Sequence, residues 1–121
     1  MGKFTIRKTP TGVKFDLKAA NGETIATSEV YETEAACRKG IESVRKNAEK
    51  AKFQDLTESE KMVTNPRFEL LRDKTGAFRF RLRARNGGII AVSESYSTKA
   101  ACENGIKSVR NNATAAQIEI E

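Results

Sequence analysis

Four arginines, Arg79, Arg81, Arg83 and Arg85, occupy every second position of one short stretch. Side chains of an extended strand alternate between faces at about 3.3 Å per residue, so all four guanidinium groups fall on one side over about 20 Å. Planar forks of this kind match phosphate or carboxylate bidentately, which makes the four a candidate anion or nucleic-acid surface. The equivalent stretch in the first half carries Lys14, Asp16, Lys18 and Ala20, so the ladder belongs to one half only. Paired with the strand that follows, Arg79 faces Glu94, while Arg81 and Arg83 face Val92 and Ile90. Three of the four are therefore expected to lack a cross-strand carboxylate.

A second constellation occurs twice: Ser28, Glu29 and Tyr31, then Ser93, Glu94 and Tyr96. As chemistry it would be a small-ligand or acid/base site near a strand–helix junction. As packing, the serine gives a helix clearance, the glutamate pairs with Lys14 or Arg79, and the tyrosine lids the core. The chain has no histidine, which removes the commonest general base, nucleophile partner and zinc ligand. No catalytic residue, cofactor site or metal site is therefore assigned. Cys37 and Cys102, without CxxC spacing, are expected to pack as buried thiols on helix faces.

What positions these residues is an internal repeat. Val13–Ala48 aligns on Phe78–Ala113 at a constant offset of 65 residues, with 21 of 36 positions identical. Upstream the offset is 64, pairing Phe4 with Phe68 and Gly12 with Gly76, so the slip of one residue falls in a turn. Each copy opens with a short alternating strand, Phe4–Lys8 or Phe68–Leu70. The second strand alternates strictly, with Phe15, Leu17 and Ala19, or Phe78, Phe80, Leu82 and Ala84, on one face. Asn21-Gly22 and Asn86-Gly87 then predict a two-residue type I′ hairpin with Leu17 opposite Ala26 and Phe15 opposite Ser28. A third strand follows, Thr24–Val30 or Ile89–Ser95.

Helices come next, with Thr33 or Glu32, and Ser97 or Thr98, where an N-cap belongs. Cys37, Ile41, Val44 and Ala48 form one apolar stripe, repeated by Cys102, Ile106, Val109 and Ala113. Glycine inside a helix costs about 1 kcal/mol relative to alanine. Gly40 and Gly105 beside the stripe thus predict the close approach of another backbone. A strand-like piece closes each copy, Phe53–Leu56 or Gln117–Ile120. The domain reading is a single pseudo-twofold domain over 1–121, with repeat 1 over 1–56, a connection over 57–66 and repeat 2 over 67–121.

The chain holds 22 Lys+Arg against 16 Asp+Glu. Residues 1–60 contribute 11 and 10 of these, residues 61–121 contribute 11 and 6, so the basic excess lies in the second half. No leader pattern precedes the first strand, and the longest aliphatic run, Ile89–Val92, is far short of the roughly 20 residues of a membrane span. A cytoplasmic protein without membrane contact is expected.

The residues Asn21-Gly22, Ser28-Glu29, Tyr31, Ala35-Ala36-Cys37, Gly40-Ile41 and Ser43-Val44, with their counterparts in copy two, closely resemble the YegP-like family of small bacterial proteins. Gly88, where copy one has Glu23, is the one departure. The resemblance implies β-β-β-α-β units that assemble about a twofold axis with their last strands exchanged. The expected fold is α+β: two tandem repeats forming one antiparallel sheet with exchanged C-terminal strands and both helices on one face. A chain holding both halves should be a monomer. The resemblance carries no activity, since the family is one of unknown function. Three readings follow: a non-catalytic module binding an unknown protein partner, a weak sequence-tolerant RNA/DNA or anion binder using the arginines, and an enzyme or small-ligand binder at the repeated polar cluster.

Overall fold

Alternation of apolar and polar residues, twice interrupted by a helical stripe, is realised in a computed structural model that describes residues 2–58 and 63–121. Strands β1 (Lys3–Thr9), β2 (Gly12–Lys18) and β3 (Thr24–Thr27) are followed by helix α1 (Glu34–Lys50) and strand β4 (Lys52–Asp55). The second copy supplies β5 (Arg67–Arg72), β6 (Phe78–Arg83), β7 (Ile89–Val92), α2 (Lys99–Ala113) and β8 (Gln117–Ile120). Of the connection expected over 57–66, residues 59–62 lie outside the described residues.

All the strands named join one sheet in the order β4-β5-β6-β7-β3-β2-β1-β8. Each copy's last strand lies on the other copy's first, so the exchange is real. The sheet is mixed rather than antiparallel: β4 runs parallel to β5, from Lys52 beside Arg67, and β8 runs parallel to β1, from Gln117 beside Lys3. The reason lies in the helices. Helix α1 packs on β1 and β2 of its own half and on β5, β6 and β7 of the other. Its 17 residues span about 25 Å, some five strand spacings, so it carries the chain across the sheet. The next strand then starts level with the start of β5.

The turns also differ from expectation. No non-glycine residue described has positive φ, so Asn21 and Asn86 do not form type I′ turns. Instead Gly22 (φ 88°) donates to the Ala19 carbonyl and Ala19 donates to that of Glu23, a three-residue loop closed by a left-handed glycine. A second bulge between Leu17 and Lys18 restores the register, so Leu17 still faces Ala26 and Ser28 still bonds Phe15. The slip between copies sits in the first turn: Thr9 pairs with Gly12 across two residues, whereas Asp73 bonds Ala77 across three.

The core lies between the sheet and the helices. Phe4 meets Phe15 edge-on at 5.7 Å and Phe68 meets Phe80 at 6.0 Å, all four buried. Ile6, Leu17, Leu70 and Leu82 join them beneath Ile41, Val44, Ile106 and Val109. Each large side chain so buried contributes about 1.5–3 kcal/mol. Thr33 and Thr98 cap the helices by accepting from the Ala36 and Ala101 amides. The helices are also clasped across the twofold. Arg110 of α2 donates to the Ala48 and Ala51 carbonyls at the end of α1 and lies 4.8 Å over the Phe68 ring. Arg45 of α1 donates to the Ala116 carbonyl and lies over Phe4. What passes close to Gly40 and Gly105 is no backbone but the hydroxyls of Tyr31 and Tyr96 and the rings of Phe15 and Phe80.

Candidate functional site

The sheet face away from the helices carries the alternate residues of each strand, and on β5 these are Arg67 and Glu69. Register places Glu69 beside Arg81 of β6 and Arg67 beside Arg83. Arg81 and Arg83 are thus not without a carboxylate, contrary to the expectation drawn from β7 alone, whereas Arg85 has none among the described residues. Glu69, only 2% exposed, is a hub. Its Oε2 accepts from Arg67 Nε at 2.9 Å and Nη2 at 2.8 Å, and its Oε1 accepts from Arg81 Nε at 2.5 Å and Arg83 Nε at 2.8 Å. Burial alone would raise the Glu69 carboxyl, but the bonds from Arg81, Arg67 and Arg83 outweigh it and hold it at about 2.

Three cations around one anion leave a surplus. Arg67, 6% exposed, spends Nη1 on the Asn65 side-chain oxygen (2.9 Å) and the Val63 carbonyl (3.2 Å). Arg83 Nη1 donates to the Gly87 carbonyl. Among the described residues, the Nη groups of Arg81 and Nη2 of Arg83 donate to nothing in the protein. Ile89 and Val92, 39% and 36% exposed, stand opposite Arg83 and Arg81 on that face. Arg79 does not pair with Glu94. It bonds Asp73 at 3.0 Å, whose other oxygen accepts from the Thr75 hydroxyl and amide and the Ala77 amide. Those bonds, Thr75 first and then Arg79, hold the Asp73 carboxyl well below the usual range. Arg85 lies beyond the end of β6, exposed and away from the hub.

In the repeated polar cluster the serines and tyrosines are engaged in packing. The Ser28 hydroxyl accepts from the Phe15 amide at 3.0 Å and donates to the Glu29 carbonyl at 2.7 Å; Ser93 does the same with Phe80 and Glu94. Tyr31 and Tyr96 stack on Phe15 and Phe80 at 6.3 Å and roof the helix glycines. Burial raises both phenols above their usual value. Among the described residues, Glu29 and Glu94 form no ion pair, so the Lys14–Glu29 and Arg79–Glu94 bridges are absent. Both cysteines are free and buried, and burial pushes the Cys102 thiol up to about 11, a packed hydrophobe rather than a nucleophile.

Arg67, Glu69, Asp73 and Asn65 were not singled out from the sequence. The signal for the first three was present. Writing the β5–β6 register from the Asp73–Ala77 turn puts Glu69 beside Arg81.

An exchanged-strand α+β repeat with a charged outer face is a structural class without an activity of its own. The family described as a domain of unknown function (DUF1508) matches residues 12–55 and 73–119, and the chain belongs to it. A UPF0339 protein of Photorhabdus laumondii is 38% identical over 109 residues, covering 89% of this chain and 83% of that protein. The UPF0339 protein YegP of Shigella flexneri is 39% identical over 106 residues, covering 88% and 84%. The solution structure of YegP from E. coli, a protein of unknown function, superposes with a TM-score of 0.81 at 36% identity over 99% of this chain and 92% of that one. That of a UPF0339 protein from Shewanella oneidensis gives 0.79 at 35% identity, over 98% and 90%. Among the described residues no helix is long and apolar enough to cross a membrane.

Proposed function

We propose that this chain is a small, non-catalytic, cytoplasmic interaction module, monomeric, that docks an acidic protein segment on the outer face of β5–β7. One observation carries the reading: Glu69 pins Arg81 and Arg83 by their Nε atoms and, among the described residues, leaves both Nη groups of Arg81 and Nη2 of Arg83 free beside exposed Ile89 and Val92. Arginine is enriched in protein-binding hot spots, and one already held in place loses less side-chain entropy on docking. A nucleic-acid surface would add stacking aromatics, but Phe68, Phe78 and Phe80 face the core. The non-catalytic part is supported by the absence of histidine and by the engagement of Ser28, Ser93, Tyr31, Tyr96, Cys37 and Cys102 in packing. In this reading the chain is one pseudo-twofold domain, repeat 1 over 1–56 and repeat 2 over 67–121 joined by 57–66, so its sheet needs no second copy.

Affinity capture from bacterial cytoplasm, with and without nuclease, tests the reading. The expected partner survives nuclease, is lost with Ile89→Glu/Val92→Glu, and is retained with Lys3→Glu/Lys14→Glu on the other half. Capture that nuclease abolishes would transfer the face to RNA or DNA.

A further inference from the structure

Arg85, the ladder arginine that neither Glu69 nor Asp73 holds, opens on a different feature. A cleft of about 490 Å³ lies between the end of α1 and the β6–β7 turn, lined by Lys46, Asn47, Lys50, Asn65, Pro66 and Arg85. Lys46 and Lys50 are one helical turn apart and so project side by side. Among the described residues, none of the three cations has a carboxylate within ion-pair distance. The Ala48 and Ala51 carbonyls at the α1 C-terminus are already taken by Arg110.

A neutral donor completes the set. The Asn65 side-chain oxygen is tied to Arg67 Nη1, so the amide is fixed and its nitrogen lies beside Gly87, in the turn that follows Arg85. Arg67 is itself buried and clamped to Glu69, so the orientation is built in from below. The pseudo-equivalent positions of Lys46, Lys50 and Arg85 are Asn111, Ala115 and Ala20, so the other end of the molecule has no such charge. No aromatic lines the cleft to stack a base or a sugar.

We propose that this cleft binds a compact phosphate-class polyanion, of the size and charge of pyrophosphate, through Lys46, Lys50, Arg85 and the Asn65 amide. The site lies on the end of the sheet and is independent of the outer-face reading.

The test is a titration of the full chain with sodium pyrophosphate at low salt, followed by amide and arginine-Nε NMR shifts. Saturable shifts are expected at Asn47, the Asn65 side chain, Gly87 and Arg85, with Asn111 and Ala115 unmoved. Affinity should fall as salt rises. Lys50→Ala/Arg85→Ala, both at exposed positions, should weaken binding by about tenfold or more, as loss of charge-assisted bonds requires. Asn65→Asp keeps the oxygen that Arg67 holds but replaces the donor with negative charge, and should abolish binding. The proposal is overturned by shifts that do not saturate, by shifts scattered over unrelated lysines such as Lys3 and Lys14, or by undiminished binding in the double variant. It is equally overturned if a short oligonucleotide moves these resonances and pyrophosphate does not.

Discussion

The two outer faces of the sheet are built on the same backbone and hold their charges in different ways. Thr5 of β1 occupies the place of Glu69 in β5, and Lys3, Asp16 and Lys18 occupy those of Arg67, Arg81 and Arg83. In the first half charges pair one to one: Asp16 with Arg7 at 2.8 Å, Lys3 with Glu119 at 2.8 Å, Lys18 with Glu121 at 3.8 Å. The central hydroxyl of Thr5 is buried and, among the described residues, has no hydrogen-bond partner. In the second half one carboxylate gathers three guanidinium groups. Two of those partners arrive from the neighbouring strand, and all are arginines, whose forks can share one acceptor where lysine offers a point charge. The lesson is that the backbone repeat carries the fold, while a few outer side chains decide whether a face is a set of independent pairs or one coupled unit with spare donors.

Breaking the hub is the strongest test of that contrast. Glu69→Gln leaves Arg67, 6% exposed, beneath the 63–66 segment without its anion. Removing one partner of a buried ion pair costs about 3–5 kcal/mol, because the stranded charge has no route to water. Asp16→Asn in the first half leaves Arg7, whose side chain is 43% exposed and free to swing into solvent, so the loss there should be about 1 kcal/mol or less. Urea unfolding of both variants measures the difference. Equal losses would show that the faces are energetically alike and that the hub is only geometric.

Acid provides the second test. Glu69 sits at about 2 in the folded protein against 4.5 for a free glutamate. A carboxyl depressed by folding contributes stability that is complete above pH 4.5 and disappears as pH falls toward 2. At 1.36 kcal/mol per pH unit this amounts to about 3 kcal/mol. Asp73, also depressed, adds to the same slope. Glu69→Gln should therefore flatten the acid dependence of unfolding between pH 4.5 and 2, with the remaining slope due to Asp73 and other carboxylates. An unchanged slope would mean that the carboxyl is not held ionised by its arginines.

The features legible beforehand were those written in local periodicity. Period two located Phe15–Leu17 and Phe78–Leu82 on the core face, period 3.6 located the Cys37–Ala48 stripe, and the hydroxyls marked the caps. Glu69 was legible in principle and missed, because Arg81 was paired only with the strand that follows it and not with the one before. Asn-Gly did not decide the turn, since it suits both a two-residue turn with two left-handed residues and a three-residue loop with one. The parallel outer strands depend on where a helix ends after crossing the sheet, and the Lys46–Arg85 cleft gathers a helix, a connection and a turn. Neither leaves a local pattern to read.

Glycine inside the helices supplies the finest comparison. At Gly40 an added Cβ would sit 2.3 Å from the Tyr31 hydroxyl and 3.1 Å from the Phe15 ring; at Gly105 the distances are 2.4 Å to the Tyr96 hydroxyl and 2.9 Å to the Phe80 ring. Alanine gains about 1 kcal/mol in helix propensity, while overpacking costs roughly 1–3 kcal/mol. A net loss of about 1 kcal/mol is expected for either Gly→Ala, because Phe15 and Phe80 are both buried and wedged edge-on, against Phe4 and Phe68. Removing the obstructing hydroxyl tests the contact directly. Tyr31→Phe should restore only part of the stability lost in Gly40→Ala, because it deletes the 2.3 Å contact but keeps the ring carbon Cζ at 2.7 Å. Tyr96→Phe should likewise restore only part in Gly105→Ala, because the Tyr96 ring carbon Cζ and the Phe80 ring both still stand at 2.9 Å from the new methyl group. Thermal midpoints of the four variants decide the matter. If both alanines stabilise the protein, as they would in an open helix, the tyrosines do not roof the helices, and the tyrosines of the repeated cluster lose their packing explanation.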